Sequence, residues 1–356
     1  MSFSESIFLT GFPGFIAERL VKRLAKPDTQ FFLLVQPQFI EKAARDVDRI
    51  SNETGTPLEN FAIIEGDITR ENLGISDEDL ATVRDETTDV FHLAAIYDLS
   101  VARDPAFLVN VEGTKNVNKF VKSVTDLRRY NYISTCYVAG KRVGEIREDE
   151  LEHDAGFRNF YEETKYLAEV EVEHLKSEIP TTIFRPSVVV GDSKTGETAK
   201  YDGIYSVIFY LRKFPSLLRL VNVGNKDVRL NLVPVDFVVE GIAVLSKDET
   251  AIGQTIALAD PHPLTTEEIC NAISEAMIGK KFLLTPPMKF VQWSLNLPFS
   301  PIFSGLPLSG VPYFFVPQTY DTNISGELLS KYSVACPNFK DYVKNLLKFV
   351  EENPNL

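Results

Sequence analysis

Residues 7–17 read Ile7-Phe8-Leu9-Thr10-Gly11-Phe12-Pro13-Gly14-Phe15-Ile16-Ala17. A short apolar run opens the stretch, two glycines follow, and an amphipathic pattern continues to Leu24. That is a strand turning into a helix. Gly11 permits the tight turn. Gly14 lets the backbone approach a pyrophosphate at the helix N-terminus, where unpaired N–H groups and the helix dipole favour an anion. Ala17, where a third glycine often stands, is small enough for close helix–strand packing. A glycine pair alone carries little weight, because many strand-to-helix turns use one. Its place at the first such turn favours the phosphate cradle.

Outward from this turn, the first half of the chain alternates short apolar runs with longer amphipathic ones. Strand-like runs lie at 7–9, 31–35, 61–64, 90–93, 130–133 and 182–184, and helical patterns fill most of the gaps, as at 14–24 and 105–124. Near-continuous apolar strands separated by helices form parallel sheets covered on both faces, so the spacing predicts an α/β, doubly wound architecture. Such sheets bind ligands beyond the carboxyl ends of their strands, near the point where strand order reverses. The later part is less regular. Residues 201–220 read as a helix, 255–258 as a strand returning to the sheet, and 265–277 as a helix opened by the box Thr265-x-x-Glu268. The expected division is a dinucleotide-binding domain over 1–190, rejoined by 228–260. A smaller, mainly helical substrate-binding part would comprise 191–227 and 261–356.

Chemistry is suggested by Tyr161 and Lys165, four residues apart in Asn159-Phe160-Tyr161-Glu162-Glu163-Thr164-Lys165. Four residues is about one helical turn, so both side chains leave the same face. An ammonium beside a phenol favours the phenolate and lowers a pKa that is otherwise about 10. The pair can then act as acid and base near neutral pH. With 13 Tyr in the chain and Lys at roughly 6% of positions, about one such match arises by chance. A second match exists, Tyr137 and Lys141, but it spans Gly140 directly after a strand-like run, where a glycine ends or turns the chain. Tyr161 instead opens a helix. Asn159 serves as N-cap with Glu162 three residues on, and Leu167, Val170, Val172 and Leu175 follow at helical spacing.

Composition sets outer limits. With 356 residues the chain is ample for a large core. Hydrophobic content of 44% and charged content of 24% fit a soluble globular protein. A net charge of -13 without a basic stripe argues against a nucleic-acid partner. Cys136, Cys270 and Cys336 are odd in number and widely spaced, so neither a disulfide framework nor a zinc site is implied. His92, His153, His174 and His262 show no ligand spacing, and no metal is expected. Residues 1–6 lack the basic start and cleavage site of a signal peptide. A cytoplasmic location is the expectation. Nothing in the sequence excludes a homodimer.

The glycine turn and the Tyr161–Lys165 pair stand within a longer series. Its members are Thr10-Gly11-x-x-Gly14-Phe15, Gly66-Asp67-Ile68-Thr69, His92-Leu93-Ala94-Ala95-Ile96-Tyr97, Asn110-x-x-Gly113-Thr114 and Ser134-Thr135. Phe184-Arg185-Pro186-Ser187, Val190-Gly191-Asp192, Asn231-Leu232-Val233-Pro234-Val235-Asp236 and Cys336-Pro337 continue it. In this order and spacing the chain resembles the extended short-chain dehydrogenase/reductase superfamily. Within that superfamily it is most like the fatty-acyl-CoA reductase and thioester reductase branch. The resemblance implies a Rossmann fold and an NADP or NAD cofactor. The cofactor would be cradled by Thr10, Gly11, Phe12, Pro13, Gly14, Phe15 and Ile16. Asp67 and Ile68 would flank the adenine, with Asp67 accepting from its amino group. Ala94, Ala95 and Ile96 would line the channel, and Pro186 and Val188 would pack on the nicotinamide. Tyr97 and Thr135 would face the substrate. Asn110 is read as a helix-packing residue in preference to the holder of a relay water.

One position departs from the branch. The arginine usual after the second strand, partner of the 2′-phosphate of NADP, is replaced by Gln36. The acidic residue that NAD users carry there is also absent. Gln36 can hydrogen-bond either ligand, and NADP is favoured.

The resemblance implies reduction of an aldehyde, ketone or acyl thioester. Tyr161 would protonate the carbonyl oxygen, Lys165 would hold the ribose and lower the Tyr161 pKa, and Thr135 would hydrogen-bond the same oxygen. Two other readings stay open on the same fold: a nucleotide-sugar epimerase, and a non-catalytic dinucleotide sensor. Sensors tend to lose the Tyr-Lys pair, which this chain keeps. Finally, residues 290–320 contain no Asp, Glu, Lys or Arg. Five prolines, Pro298, Pro301, Pro307, Pro312 and Pro317, rule out one regular helix through it. With Phe299, Phe303 and Phe314 it reads as the wall of an apolar substrate pocket. Membrane contact is disfavoured, because no basic cluster flanks it.

Overall fold

Seven strands form where the apolar runs predict them, and four short ones join them among the described residues. In chain order they are β1 (Glu5–Thr10), β2 (Thr29–Val35), β3 (Phe61–Glu65), β4 (Asp89–His92), β5 (Arg129–Ile133) and β6 (Gly144–Ile146). Then come β7 (Thr181–Pro186), β8 (Val188–Val190), β9 (Leu232–Pro234), β10 (Thr255–Leu258) and β11 (Gln318–Tyr320). The computed structural model describes residues 3–213, 222, 224–295 and 311–356.

Seven of the strands make one sheet in the order β10-β7-β5-β4-β1-β2-β3, every neighbouring pair parallel. β4, β5, β7 and β10 are buried at every position. Helices on both faces explain why these strands show no polar alternation. β1 splits its side chains: Ile7 and Leu9 enter one apolar layer, Phe8 the other. The first layer takes Leu20 and Val21 of α1 (Phe15–Leu24) and Val47 and Ile50 of α2 (Ile40–Thr54). The opposite layer takes Val83 of α3 (Asp77–Glu86). It also takes residues of a longer helical run: α4 (Arg103–Ala106), a π-helical stretch Phe107–Glu112 and α5 (Gly113–Ser123). Ala168 and Val172 of α6 (Phe160–Glu173) complete it.

Thr10 pairs with Leu34 of β2 on one side and His92 of β4 on the other. Strand order reverses here, so the crevice at the carboxyl end of β1 is where this fold binds ligands.

The remaining residues build a second apolar cluster. Helices Ile204–Lys213, Thr266–Ile278 and Phe339–Glu352 supply Ile208, Ile273 and Leu346, all fully buried. The Thr265–Glu268 capping box forms as the sequence predicts. The helix read at 201–220 is seen from Ile204 to Lys213, and 214–220 lie outside the described residues. Two small parallel pairs, β6 with β11 and β8 with β9, tie this part to the sheet. Glu148, 2% exposed, accepts backbone N–H bonds from Ala257 (2.7 Å), Ile324 (2.6 Å) and Ser325 (3.1 Å). It thereby joins β10 to the start of the helix Asn323–Ser330. Among the described residues, no helix is long and apolar enough to cross a membrane.

Candidate active site

Small residues shape the first turn. Gly11 sits at φ +94, and a Cβ there would come within 2.8 Å of the Ala94 nitrogen. A Cβ on Gly14 would meet the Gly11 carbonyl oxygen at 2.7 Å. Neither place tolerates a side chain, so the turn keeps the tight, bare-backbone path that a dinucleotide cradle needs. Thr10 accepts from the Ala94 N–H (3.2 Å) and bonds His92 Nδ1 (2.7 Å), while His92 Nε2 meets Thr114 (3.1 Å). Burial, with the Lys165 charge adding to it, pushes His92 down to about 3. The neutral ring is a brace. Phe12 is buried in the core beneath the turn, Ile16 packs partly buried against that core, and the Phe15 ring lies 4.2 Å below the Arg19 guanidinium. The Pro13 carbonyl accepts from Lys42 Nζ at 2.8 Å.

At the far side of this cleft, Asp67 accepts from Gln36 (3.0 Å) and from the Thr69 amide and hydroxyl (2.8 Å each). Burial works against ionisation, yet these bonds hold its carboxyl below the usual range. Gln36 in turn accepts from Gln38 at 2.8 Å. Ile68 is buried under α5, where a Cβ on Gly113 would meet it at 2.7 Å. Ala94, Ala95 and Ile96 are partly buried beyond β4. Asn110, in the π-helical stretch, is 1% exposed and clamps Ile96 through N–H and C=O (2.8 and 3.1 Å). It also donates to Thr164 of α6 (3.0 Å), fastening the 94–96 loop to that helix.

Asn159 caps α6, its side chain accepting from the Glu162 N–H at 3.0 Å. Glu162 does not return the bond as a capping box would. Fully buried, it accepts from the Arg158 amide (2.8 Å), the Arg158 guanidinium (3.1 Å) and the Tyr313 hydroxyl (2.6 Å). A buried carboxylate is better served by a cation and a phenol than by one amide. Tyr161 and Lys165 follow on this helix as the sequence predicts. Tyr137 lies in the short turn Cys136–Ala139, and Gly140 at φ +56 breaks the chain before the exposed Lys141, so the rival pair has no helix.

The expected effect of Lys165 on Tyr161 is corrected by the geometry. Lys165 Nζ donates to the Tyr132 hydroxyl and the Ile133 carbonyl, both at 2.9 Å, and lies 4.5 Å over the Tyr132 ring. Burial pushes the Tyr161 phenol up to about 12, opposed by a hydrogen bond with the Thr135 side chain. Burial likewise brings Lys165 down to about 8, with Glu169 acting against it. Thr135, 7% exposed, therefore joins Tyr161, while Lys165 is seated against β5.

Glu169 was not singled out from the sequence, although it lies one turn beyond Lys165. It is fully buried and accepts from Ser134, the neighbour of Thr135, and from Arg185 Nε (2.8 Å) and Nη2 (2.5 Å). Its spacing of four from Lys165, with an arginine in Phe184-Arg185-Pro186, was the available signal.

Pro186 is buried at the end of β7, and Val188 borders a small cavity that Tyr137, Arg158 and Tyr313 also line. Tyr97 is exposed, with the Lys200 ammonium 4.1 Å over its ring. The apolar wall needs correction. Phe299 and Phe303 lie outside the described residues. Phe314 packs into the C-terminal core with Phe339 and Tyr342 instead of facing substrate, because one tight turn, Val311–Phe314, sends Tyr313 to the cavity and Phe314 inward. Among the described residues, no group of His, Cys, Asp or Glu is arranged to hold a metal.

A parallel sheet with a glycine cradle at its switch point and a helical Tyr161–Lys165 pair beside it defines an extended short-chain dehydrogenase/reductase. Residues 9–242 match the NAD-binding family described as male sterility protein, and the chain belongs to that family. Fatty acyl-CoA reductase wat of Drosophila melanogaster is 25% identical over 280 residues, covering 68% of this chain and 54% of that protein. Human fatty acyl-CoA reductase 1 is 26% identical over 275 residues, covering 66% and 53%. The chain thus spans about half the length of these curated relatives. The terminal R domain from the myxalamid PKS-NRPS biosynthetic pathway superposes with a TM-score of 0.84 at 23% identity, covering 100% of this chain and 92% of that one. The chain is similar to fatty acyl-CoA reductases in sequence and to a terminal R domain in fold.

Proposed function

We propose that the protein reduces the carbonyl of an acyl thioester, aldehyde or ketone with NADPH or NADH. The observation that carries this reading is Tyr161 beside the Thr135 side chain at the head of α6, together with a first turn whose bare glycine backbone can approach a pyrophosphate. The nicotinamide, when bound, supplies the hydride. Tyr161 donates its proton to the carbonyl oxygen, and the Thr135 hydroxyl bonds the same oxygen. Both donors stabilise the charge that develops there, the term that usually dominates such catalysis. Lys165 spends two N–H bonds on Tyr132 and Ile133, and its third serves a ribose hydroxyl of the cofactor. Asp67 accepts from the adenine amino group, and Pro186 and Val188 pack on the nicotinamide.

The test is oxidation of NADPH and NADH by the purified protein across a panel of short and long acyl thioesters, aldehydes and ketones. Turnover of at least one class is expected, with NADPH the better donor. A protein that binds dinucleotide and turns over none of them is a sensor, and the proposal fails.

Two further outcomes follow. The free-enzyme profile of kcat/KM should fall above about pH 8, since Lys165 must keep its proton to hold the ribose and its pKa is about 8. A profile flat to pH 9.5 would remove that role. Gln36→Arg should shift kcat/KM toward NADPH by roughly tenfold, because a guanidinium pairs well with phosphate. An unmoved ratio would show that the 2′-phosphate is read elsewhere, Lys42 being the cation already bonded to the cradle.

A further inference from the structure

At the carboxyl end of the sheet, three neighbouring parallel strands carry a polar side chain at the same level. Thr10 of β1 pairs with His92 of β4, and His92 pairs with Tyr132 of β5. Paired residues on parallel strands point to one face of the sheet, so the three form a row. The His92 and Tyr132 rings lie 5.5 Å apart, and on β7 the row ends at the apolar Ile183. All three polar members are at most 1% exposed. Thr114 of α5 and Lys165 of α6, 2% and 3% exposed, close over them. Buried polar groups need partners, and here each partner is identifiable.

One arrangement of protons satisfies the row. The Asn110 carbonyl can only accept, so the Thr114 hydroxyl donates to it (2.6 Å). His92 Nε2, 3.1 Å from Thr114, then carries the ring proton and donates it. Burial keeps that ring neutral, which leaves Nδ1 bare to accept from the Thr10 hydroxyl (2.7 Å). Thr10 in turn accepts from the Ala94 N–H beside the cradle (3.2 Å). Tyr132 stands at the other end. Its hydroxyl faces the Thr114 side chain and accepts from Lys165 Nζ at 2.9 Å, since an ammonium has donors only. The Ile133 carbonyl, also at 2.9 Å, takes a second N–H. Among the described residues no carboxylate bonds this ammonium, because Glu169, one turn on, is divided between Ser134 and Arg185.

We infer that Tyr132 is a positioning residue for Lys165, and that the row Thr10–His92–Tyr132 ties the ammonium meant for the ribose to the turn meant for the pyrophosphate. The inference rests on the ribose role given to Lys165 above. A lysine stem is flexible, and these two acceptors are what keep its ammonium in one place. The hydroxyl also affects proton affinity. Burial brings Lys165 down to about 8, with Glu169 acting against it. The titratable and charged groups around it are Glu169 and Tyr161 on its own helix, His92 on β4, Tyr132 on β5, and Arg185 of β7 behind Glu169. From α5 comes the uncharged Thr114. Tyr132 is the one of these bonded to the ammonium, so losing its hydroxyl withdraws support from the charged form and lowers Lys165 further.

Calorimetric titration of the full chain with NADPH, across the range from slightly acid to alkaline pH, tests this in Tyr132→Phe. Loss of one charge-assisted bond should lower the pH at which binding weakens by about one unit. The variant should then bind about eightfold more weakly than wild type at about pH 8.5 and within ~2-fold of it at about pH 6.5. Tyr130→Phe is the control. Tyr130 is equally buried on the same strand, but its hydroxyl donates to Asn118 (3.0 Å), so that variant should follow wild type. Thermal unfolding of the two variants should agree, since each loses one buried hydroxyl. A Tyr132→Phe profile superimposable on wild type overturns the inference, as does a deficit that is constant with pH or shared by Tyr130→Phe. A flat wild-type profile overturns it together with the ribose role of Lys165. Absent carbonyl turnover, with the pH-dependent gap intact, counts against the reductase reading alone.

Discussion

Tyr161→Phe is expected to lower turnover about 100-fold or more and to leave dinucleotide binding almost unchanged. A positioned general acid contributes on the order of 10²–10⁴ in rate. The ring itself stays in place, because the substitution deletes only the hydroxyl that meets Thr135. Turnover across the carbonyl panel and dinucleotide titration are the two measurements. Full activity in the variant would take the proton-donor role away from Tyr161. A parallel loss of dinucleotide binding would mean that the phenol is part of the cofactor site.

The other large effect is on stability. Glu169→Leu leaves Arg185, 3% exposed, with the Glu148 and Glu150 carbonyls (3.1 Å each) as its hydrogen-bond partners among the described residues. Removing one partner of a buried ion pair costs about 3–5 kcal/mol. At roughly 2–4 °C per kcal/mol in a sizeable domain, thermal unfolding should move down by about ten degrees. The double variant Glu169→Leu/Arg185→Met should recover much of this, since an apolar pair can replace a buried ionic one at little cost. If the double variant is as unstable as the sum of its single changes, the pair is not the coupled unit the structure depicts.

Much of this was legible in the chain because it depends on near neighbours. Apolar runs marked six sheet strands and the returning strand at 255–258, since continuous burial leaves a continuous pattern. The glycine turn and the Asn159-capped helix were equally local. What escaped the sequence depends on contacts between distant segments. Glu162 looked like half of a capping box until Tyr313, far along the chain, supplied a better partner. Lys165 looked like the partner of Tyr161, but its reach along α6 brings it to the end of β5. The cavity is assembled from residues near 137, 158, 188, 229 and 313–320, and no periodicity links those places. Phe314 was read as pocket wall from composition alone, and composition does not say which way one tight turn points its rings.

The edge strand β10 has a consequence for how the protein is made. It is the last member of the sheet in sequence, and the β6–β11 pairing and the Glu148 clasp wait for segments that are later still. A ribosome will have released the whole dinucleotide crevice before β7 acquires its outer neighbour. Until then β7 offers an unpaired parallel edge, the kind of surface on which nascent chains aggregate. Chaperone demand during expression should therefore peak between emergence of β7 and emergence of the helix Asn323–Ser330. Recombinant pieces that stop inside that interval should be recovered mainly as inclusion bodies.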